Sequence, residues 1–179
     1  MKALVLEGIN QPIEIRNFDQ PNVEKDFSLV TVKTAGLNHR DLWITKGQYA
    51  GLKFPIVLGS DVCGLHLNNR VIINPAFFWG ENLNAQSKEF EILGLPRNGS
   101  LAEFVSVPTS SIYQAPNHLT DEQAAAIPLA GLTAFRALVT KTKPRKGEKI
   151  LITGIGGGVA LFVLQFAIAL GLEVYVNSS

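Results

Sequence analysis

The segment Ile152-Thr-Gly-Ile-Gly-Gly-Gly-Val-Ala-Leu161 constrains the fold of this chain more than any other. It follows a short apolar stretch, residues 149–153, and opens a longer one, residues 159–170, that closes at Gly171. These spacings predict a buried strand, a tight glycine turn at 154–158 and a helix with its C-cap at Gly171, and residues 173–177 then read as a second strand. Parallel strands joined by a helix form a βαβ unit with a right-handed crossover. The stretch 150–172 is apolar enough to raise the question of a membrane span. Four glycines near its start and Gln165 in its middle favour the buried strand, turn and helix instead.

Glycines between a strand and a helix let the backbone approach a pyrophosphate, while the helix N-terminus offers free N–H groups and a partial positive charge. Gly156, Gly157, Gly158 and Val159 are therefore expected to bind a dinucleotide; the alternative is a purely structural turn. The fit to G-x-G-x-x-G/A has two frames. Gly157 and Ala160 take its second and third positions if Ile155 stands first, whereas Gly154 and Gly156 leave Val159 third. The former is favoured because alanine is accepted in the third position. An acidic residue at the end of the second strand would hold the ribose of NAD, but this chain has Asn177-Ser178-Ser179 there. With no carboxylate to repel a phosphate and hydroxyls to bind one, NADPH is expected, with NADH as the alternative; ordinary turn residues are the blander account of Asn177 and Ser178.

Upstream the pattern changes. Residues 2–6, 13–15, 28–34, 70–73, 102–107 and 112–114 read as short strands separated by prolines, with one short helix from Asn38 to about Gly47. Asn38 is a good N-cap, and Asp41 falls in the first turn. From Thr120 the pattern is helical: Thr120 and Gln123 form a capping box, Pro128 ends that helix, and residues 132–141 read as another. The expected domains are 1–119 and 120–179. Hydrophobic residues at 46% against 17% charged exclude disorder. Sixteen basic against fifteen acidic residues, with no basic stripe, argue against nucleic acid or an anionic membrane as partner and favour a small apolar ligand. Cys63, the only cysteine, excludes an internal disulfide and suits a reducing, cytoplasmic setting. The opening MKALVLEG is too short for a signal peptide, so Met1 is expected to begin the mature chain.

Five motifs then occur in a familiar order: Ala35-Gly-Leu-Asn-His-Arg-Asp41, Phe54-Pro-Ile-Val-Leu-Gly-Ser-Asp61, Gly99-Ser-Leu-Ala-Glu-Phe104, Pro128-Leu-Ala-Gly-Leu-Thr-Ala134 and the glycine loop. The chain resembles the medium-chain dehydrogenases/reductases over nearly its whole length, most of all their zinc-independent, quinone oxidoreductase-like branch. The resemblance implies an α/β protein with a β-rich part: a GroES-like β-barrel domain with the substrate site, then a Rossmann domain, incomplete in this chain, that binds NAD(P)H. It implies hydride transfer to a small carbonyl, enone or quinone, and a homodimer if the Rossmann domain is complete. A truncated, non-catalytic binding or assembly module is the competing expectation.

Three departures qualify the resemblance. Asn38 and Ser60-Asp61 stand where zinc-dependent members have Cys and His-Glu, and the four-Cys structural lobe is absent between Asn74 and Ser100, so no zinc is expected. Only Leu65-His-Leu-Asn-Asn69 separates Gly64 from Arg70, so about a dozen residues, with a strand, look deleted or unrepresented there. The rest of the Rossmann sheet is missing after the second strand. The resemblance makes Asn38, Asp41 and Tyr49 catalytic candidates, with Asn38 the favoured hydrogen-bond donor, and places Thr133 beneath the nicotinamide; His39 is a further catalytic candidate as a proton carrier by its residue type. The simpler alternatives are a helix cap for Asn38 and Asp41, a solvent-facing or core histidine, a satisfied half-buried tyrosine, and a threonine bonded to its own helix. Trp43, Phe77, Phe78 and Trp79 would line an apolar pocket or pack as core.

Overall fold

The computed structural model describes residues 1–178 and divides into two compact units, Met1–Pro128 and the chain from Leu129 onward. Ser179, one of the two serines expected to favour a phosphate, lies outside the described residues. In the first unit the elements in chain order are β1 (Lys2–Leu6), β2 (Ile13–Asn17), β3 (Phe27–Gly36), α1 (His39–Thr45), β4 (Ile56–Val57), β5 (Asp61–His66), β6 (Asn69–Ile73), β7 (Ala76–Phe77), β8 (Glu91–Ile92), β9 (Phe104–Pro108), β10 (Ile112–Gln114) and α2 (Asp121–Ala125). A five-stranded antiparallel sheet has the order β10-β6-β5-β3-β9, and a three-stranded one the order β2-β1-β4.

Strand periodicity sends alternate side chains inward, and Val30, Val62, Ile73, Phe77, Leu93, Val105 and Val107 form one core cluster. A second, Leu6, Ile44, Ile56, Leu58 and Leu95, seats α1 through Ile44, which is fully buried. Burial of one such side chain is worth about 1.5–3 kcal/mol, enough to hold a seven-residue helix that would not persist alone. Pro108 ends β9, an edge strand, where its missing N–H is tolerated.

The short segment 65–69 holds no additional strand in the structure and instead closes a hairpin. β5 and β6 are neighbours joined through Leu67 and Asn68, both at positive φ (47° and 64°), and His66 pairs with Asn69. A two-residue turn of this hand matches the twist of the strands and closes the hairpin directly, so the short segment completes the sheet. The helical region also differs. Pro128 opens the next helix, α3 (Pro128–Phe135), where its missing N–H costs nothing, and Arg136–Thr142 continues as a π-helix up to left-handed Lys143. The units divide at Pro128 because α2 packs on β3 and β5, clamped by Arg70, which donates to Asp121 and to the Pro116 and Leu119 carbonyls.

The second unit contains α3, β11 (Lys149–Ile152), α4 (Gly158–Ala169) and β12 (Glu173–Val176), with β11 and β12 parallel and Lys149 opposite Glu173. This is the expected βαβ unit. Its small core joins Leu138, Ala167 and Leu172 with Ile150, Val163, Phe166 and Val174. No helix among the described residues is long and apolar enough to cross a membrane.

Candidate functional site

In the first unit, the ladder between β3 and β5 sets the candidate site. Gly36 pairs with Asp61 at the end of that ladder, and α1 begins three residues after Gly36, so Asn38 is delivered beside Asp61. The Asn38 side-chain amide donates to the Asp61 carboxylate at 2.9 Å. That aspartate is 2% exposed. An amide nitrogen carries two protons, and this bond commits one of them.

Asp41 turns inward from the same helix. Its carboxylate accepts the Asn38 backbone N–H at 2.8 Å and the Gly59 N–H at 3.3 Å, tying the start of α1 to the loop before β5. Burial pushes its carboxyl above the ordinary value, and those two N–H donors and the charge of Arg40 pull the other way. Both carboxylate oxygens are therefore occupied by backbone, an architectural arrangement. His39 points to solvent, and Tyr49 is half-buried.

Arg40 and Ser60 went unrecognised as site residues. The Arg40 guanidinium is buried and its Nη1 donates to Ser60 Oγ at 2.6 Å and to the Leu93 carbonyl at 2.9 Å. Ser60 Oγ in turn donates to the same carbonyl. Arg40 Nε reaches the Tyr49 hydroxyl at 3.4 Å, and the guanidinium carbon lies 5.1 Å from the tyrosine ring centre. The aromatic residues disperse rather than line one pocket. Phe77 is core, Trp79 packs edge-on against Phe90 in the segment without cysteines, and Trp43 is exposed with Lys46 over its ring.

In the second unit the glycine loop connects β11 to α4. Gly154 holds φ +66°, so the left-handed turn falls there and not at Ile155, and Gly157 is the N-cap of α4. The two landmarks are three residues apart, so each frame read from the sequence contains one of them. Asn177 braces the loop: its side-chain carbonyl accepts the Gly154 N–H at 3.4 Å and its backbone carbonyl the Ile155 N–H at 3.2 Å. A Cβ built on Gly154 or Gly156 would meet nothing within 4 Å, so the loop presents bare backbone at a twelve-residue helix's N-terminus. Backbone of this kind fits the phosphates of a dinucleotide. Thr133 lies on α3, exposed, and Asn177 and Ser178 follow β12, also exposed.

The β-rich unit with a buried polar cluster at one helix, followed by a glycine-loop βαβ unit, is the arrangement of a medium-chain oxidoreductase. Residues 24–117 match the alcohol dehydrogenase GroES-like domain. The chain belongs to that family, within the medium-chain dehydrogenases/reductases. It is 34% identical to a zinc-type alcohol dehydrogenase-like protein of Leptosphaeria maculans, over 94% of this chain and 53% of the relative. It is 30% identical to the acryloyl-coenzyme A reductase of Metallosphaera sedula, over 97% and 57%. Among solved structures it resembles an NAD-dependent alcohol dehydrogenase (31% identity, TM-score 0.91, 100% of this chain and 58% of the other). It also resembles the quinone oxidoreductase of Thermus thermophilus, solved in complex with NADPH (30%, 0.81, 100% and 53%). The chain spans about half the length of these relatives. One alignment runs over 195 positions against a chain of 179 residues, so that relative carries residues this chain lacks.

Proposed function

We propose that this chain is part of an NAD(P)H-dependent reductase acting on a small, apolar carbonyl, enone or quinone without catalytic zinc, with NADPH the preferred cofactor. The observation that carries the reading is the open glycine loop at the start of α4, braced by Asn177. When bound, the cofactor supplies the hydride. Of Gly156, Gly157, Gly158 and Val159, the loop would hold its phosphates through the N–H groups of Gly156, Gly158 and Val159, since that of Gly157 donates to the Gly154 carbonyl at 3.0 Å; Thr133 would serve its nicotinamide, and Asn177 and Ser178 its ribose. Asn38, held through one amide proton by Asp61, keeps the second for the substrate oxygen on which charge develops. Asp41 fixes the start of α1, and His39 is a solvent-side proton carrier.

The donor chemistry around Asn38 supports work without zinc. Zinc favours thiolate, imidazole and carboxylate ligands, and here an amide, a hydroxyl and one carboxylate stand together with a guanidinium on the hydroxyl. A dimer and a cytoplasmic setting complete the proposal. Titration with NADPH and NADH, followed by cofactor fluorescence, tests it, with NADPH oxidation measured on a quinone and enone panel. Micromolar binding of NADPH and metal-free protein by elemental analysis are expected. Failure to bind either cofactor would favour a non-catalytic assembly module, the reading to which the exposed apolar faces of the second unit also lend themselves.

A further inference from the structure

One charged group of the first unit is larger than its structural duties require. Arg40 is 7% exposed and makes no direct ion pair among the described residues. Its Nη1 is saturated by Ser60 and Leu93, whereas Nη2 is buried without a hydrogen-bond partner. Nη2 lies on the same edge of the guanidinium as the Nε–H, and Nε has only the long, 3.4 Å bond to the Tyr49 hydroxyl. One unused Nη2 proton therefore lies beside the weakly bonded Nε–H on the edge bordered by Tyr49. Stapling Ser60 to Leu93 needs one nitrogen, which a lysine could supply; a planar fork is needed only if its other edge is used. An unsatisfied buried donor is rare enough in folded proteins to ask for a functional account.

Resting on the function proposed above, we propose that Arg40 is a positioning residue for the substrate oxygen, its Nε–H holding the Tyr49 hydroxyl as acceptor so that the hydroxyl proton is presented to that oxygen. The neighbouring carboxyls are engaged elsewhere: Asp41, on the same helix, accepts two backbone N–H groups, and Asp61, on β5, accepts the Asn38 amide. From the start of β5 the group that meets the guanidinium is the neutral Ser60 hydroxyl, and from the segment at β8 the Leu93 carbonyl. The cation facing Tyr49 is thus Arg40. A charged donor on the phenol oxygen strengthens the phenol's own donation, because successive hydrogen bonds polarise one another. Substrates with an accessible oxygen acceptor, such as enones, are favoured over those without one.

The test compares wild type with Tyr49→Phe, Arg40→Met, Arg40→Lys and the Arg40→Met/Tyr49→Phe pair in NADPH-dependent reduction of cyclohex-2-enone. Tyr49→Phe and Arg40→Met should each lower kcat by about 100-fold with KM changed less than about threefold, and the pair should be no worse than either alone. Arg40→Lys should recover thermal stability but not kcat. Multiplying effects, full recovery of kcat with lysine, or a loss confined to KM would each overturn the proposal. Absence of reduction by wild type would count against the function itself, and a measurement free of turnover then decides the arginine's role. In protein labelled with 15N-arginine, Tyr49→Phe should accelerate solvent exchange of the Arg40 Nε–H by about tenfold. Unchanged exchange would show that Tyr49 does not hold that proton and would sink the proposal.

Discussion

Leu6, Val30, Ile44, Leu58, Val62, Ile73 and Leu93 are fully buried in the first unit, whereas in the second Leu151 is 66% exposed and Ile168 63%. Both regions have strands and helices with well-formed ladders, so the difference does not lie in local structure. It lies in layers. The first unit closes two curved sheets around its own side chains, with α1 and α2 packed against them. The second has one pair of strands with α4 and the 136–142 helix sharing one small core with them, too few layers to cover every apolar face. Propensity and periodicity thus form α4 equally well whether or not all its apolar faces are covered. The tight unit holds its site by buried polar bonds; the open one offers bare backbone.

Backbone crowding should break this comparison most strongly. Gly99 lies where three segments meet: a Cβ there would come within 2.1 Å of the Gly59 carbonyl and 2.5 Å of the Leu58 carbonyl. These are backbone atoms and cannot move aside singly, so Gly99→Val should cost about 3 kcal/mol or more. Gly156→Ala adds its methyl to open space and should change stability by less than about 0.5 kcal/mol. Urea denaturation of both variants measures the contrast, and equal losses would mean that the glycine loop is packed after all.

The second effect separates binding from stability at one position. Gly157 is the N-cap of α4, a place where aspartate is favoured, and its Cβ would sit 3.5 Å from the Gly154 carbonyl, an ordinary contact. Gly157→Asp should therefore fold as well as wild type. It should also bind NADPH at least about tenfold more weakly, because a carboxylate then occupies the ground of the phosphates. Calorimetric titration beside a melting curve checks both halves, and unchanged affinity would remove the loop from the cofactor site.

How far the sequence reveals these features depends on whether the local physics is ordinary. The βαβ unit and the strands β1, β2, β3, β6, β9 and β10 were legible because periodicity and turn residues carry them, whereas central β5 and the two-residue β4, β7 and β8 were not, and Thr120 and Gln123 close the capping box their spacing predicts. The β5–β6 hairpin was not, because turns with two positive φ values normally announce themselves with Asn-Gly, and here a leucine takes the first position. The left-handed turn at Gly154 was hidden by a run of glycines, each able to adopt it. Arg40 was missed for a different reason. Arginine on a short helix reads as solvent-facing, and only the meeting of α1 with Ser60 and Leu93, 20 and 53 residues away, buries it.

A smaller effect sharpens the contrast in apolar exposure. Leu161 and Ile168 are exposed on α4, and Leu151 on β11 beneath no covering layer, which predicts self-association of the chain. Ile168→Glu removes apolar surface without opening a cavity, so stability should move by about 0.5 kcal/mol or less. The elution volume should shift toward the monomer at matched concentration. An unchanged oligomer would place the association on another surface, such as exposed Ile15 of β2.

The smallest effect concerns the clamp that ties α2 into the first unit. The Arg70 guanidinium bonded to Asp121 holds that carboxyl below the ordinary carboxylate range, and Asp121 also accepts from Cys63 Sγ at 3.6 Å. Because the folded value is depressed, the native state binds fewer protons than the unfolded chain between the two values. The stabilisation is therefore complete above the ordinary range and is lost as the pH falls through the folded value. Both partners are partly exposed, so solvent and salt screen the pair. Asp121→Asn should lower the urea midpoint modestly at about pH 7, and the gap to wild type should narrow toward about pH 2. Added salt should narrow it at neutral pH as well. A gap that stays constant in acid would show that Asp121 acts only as a first-turn residue of α2, by geometry and not by charge.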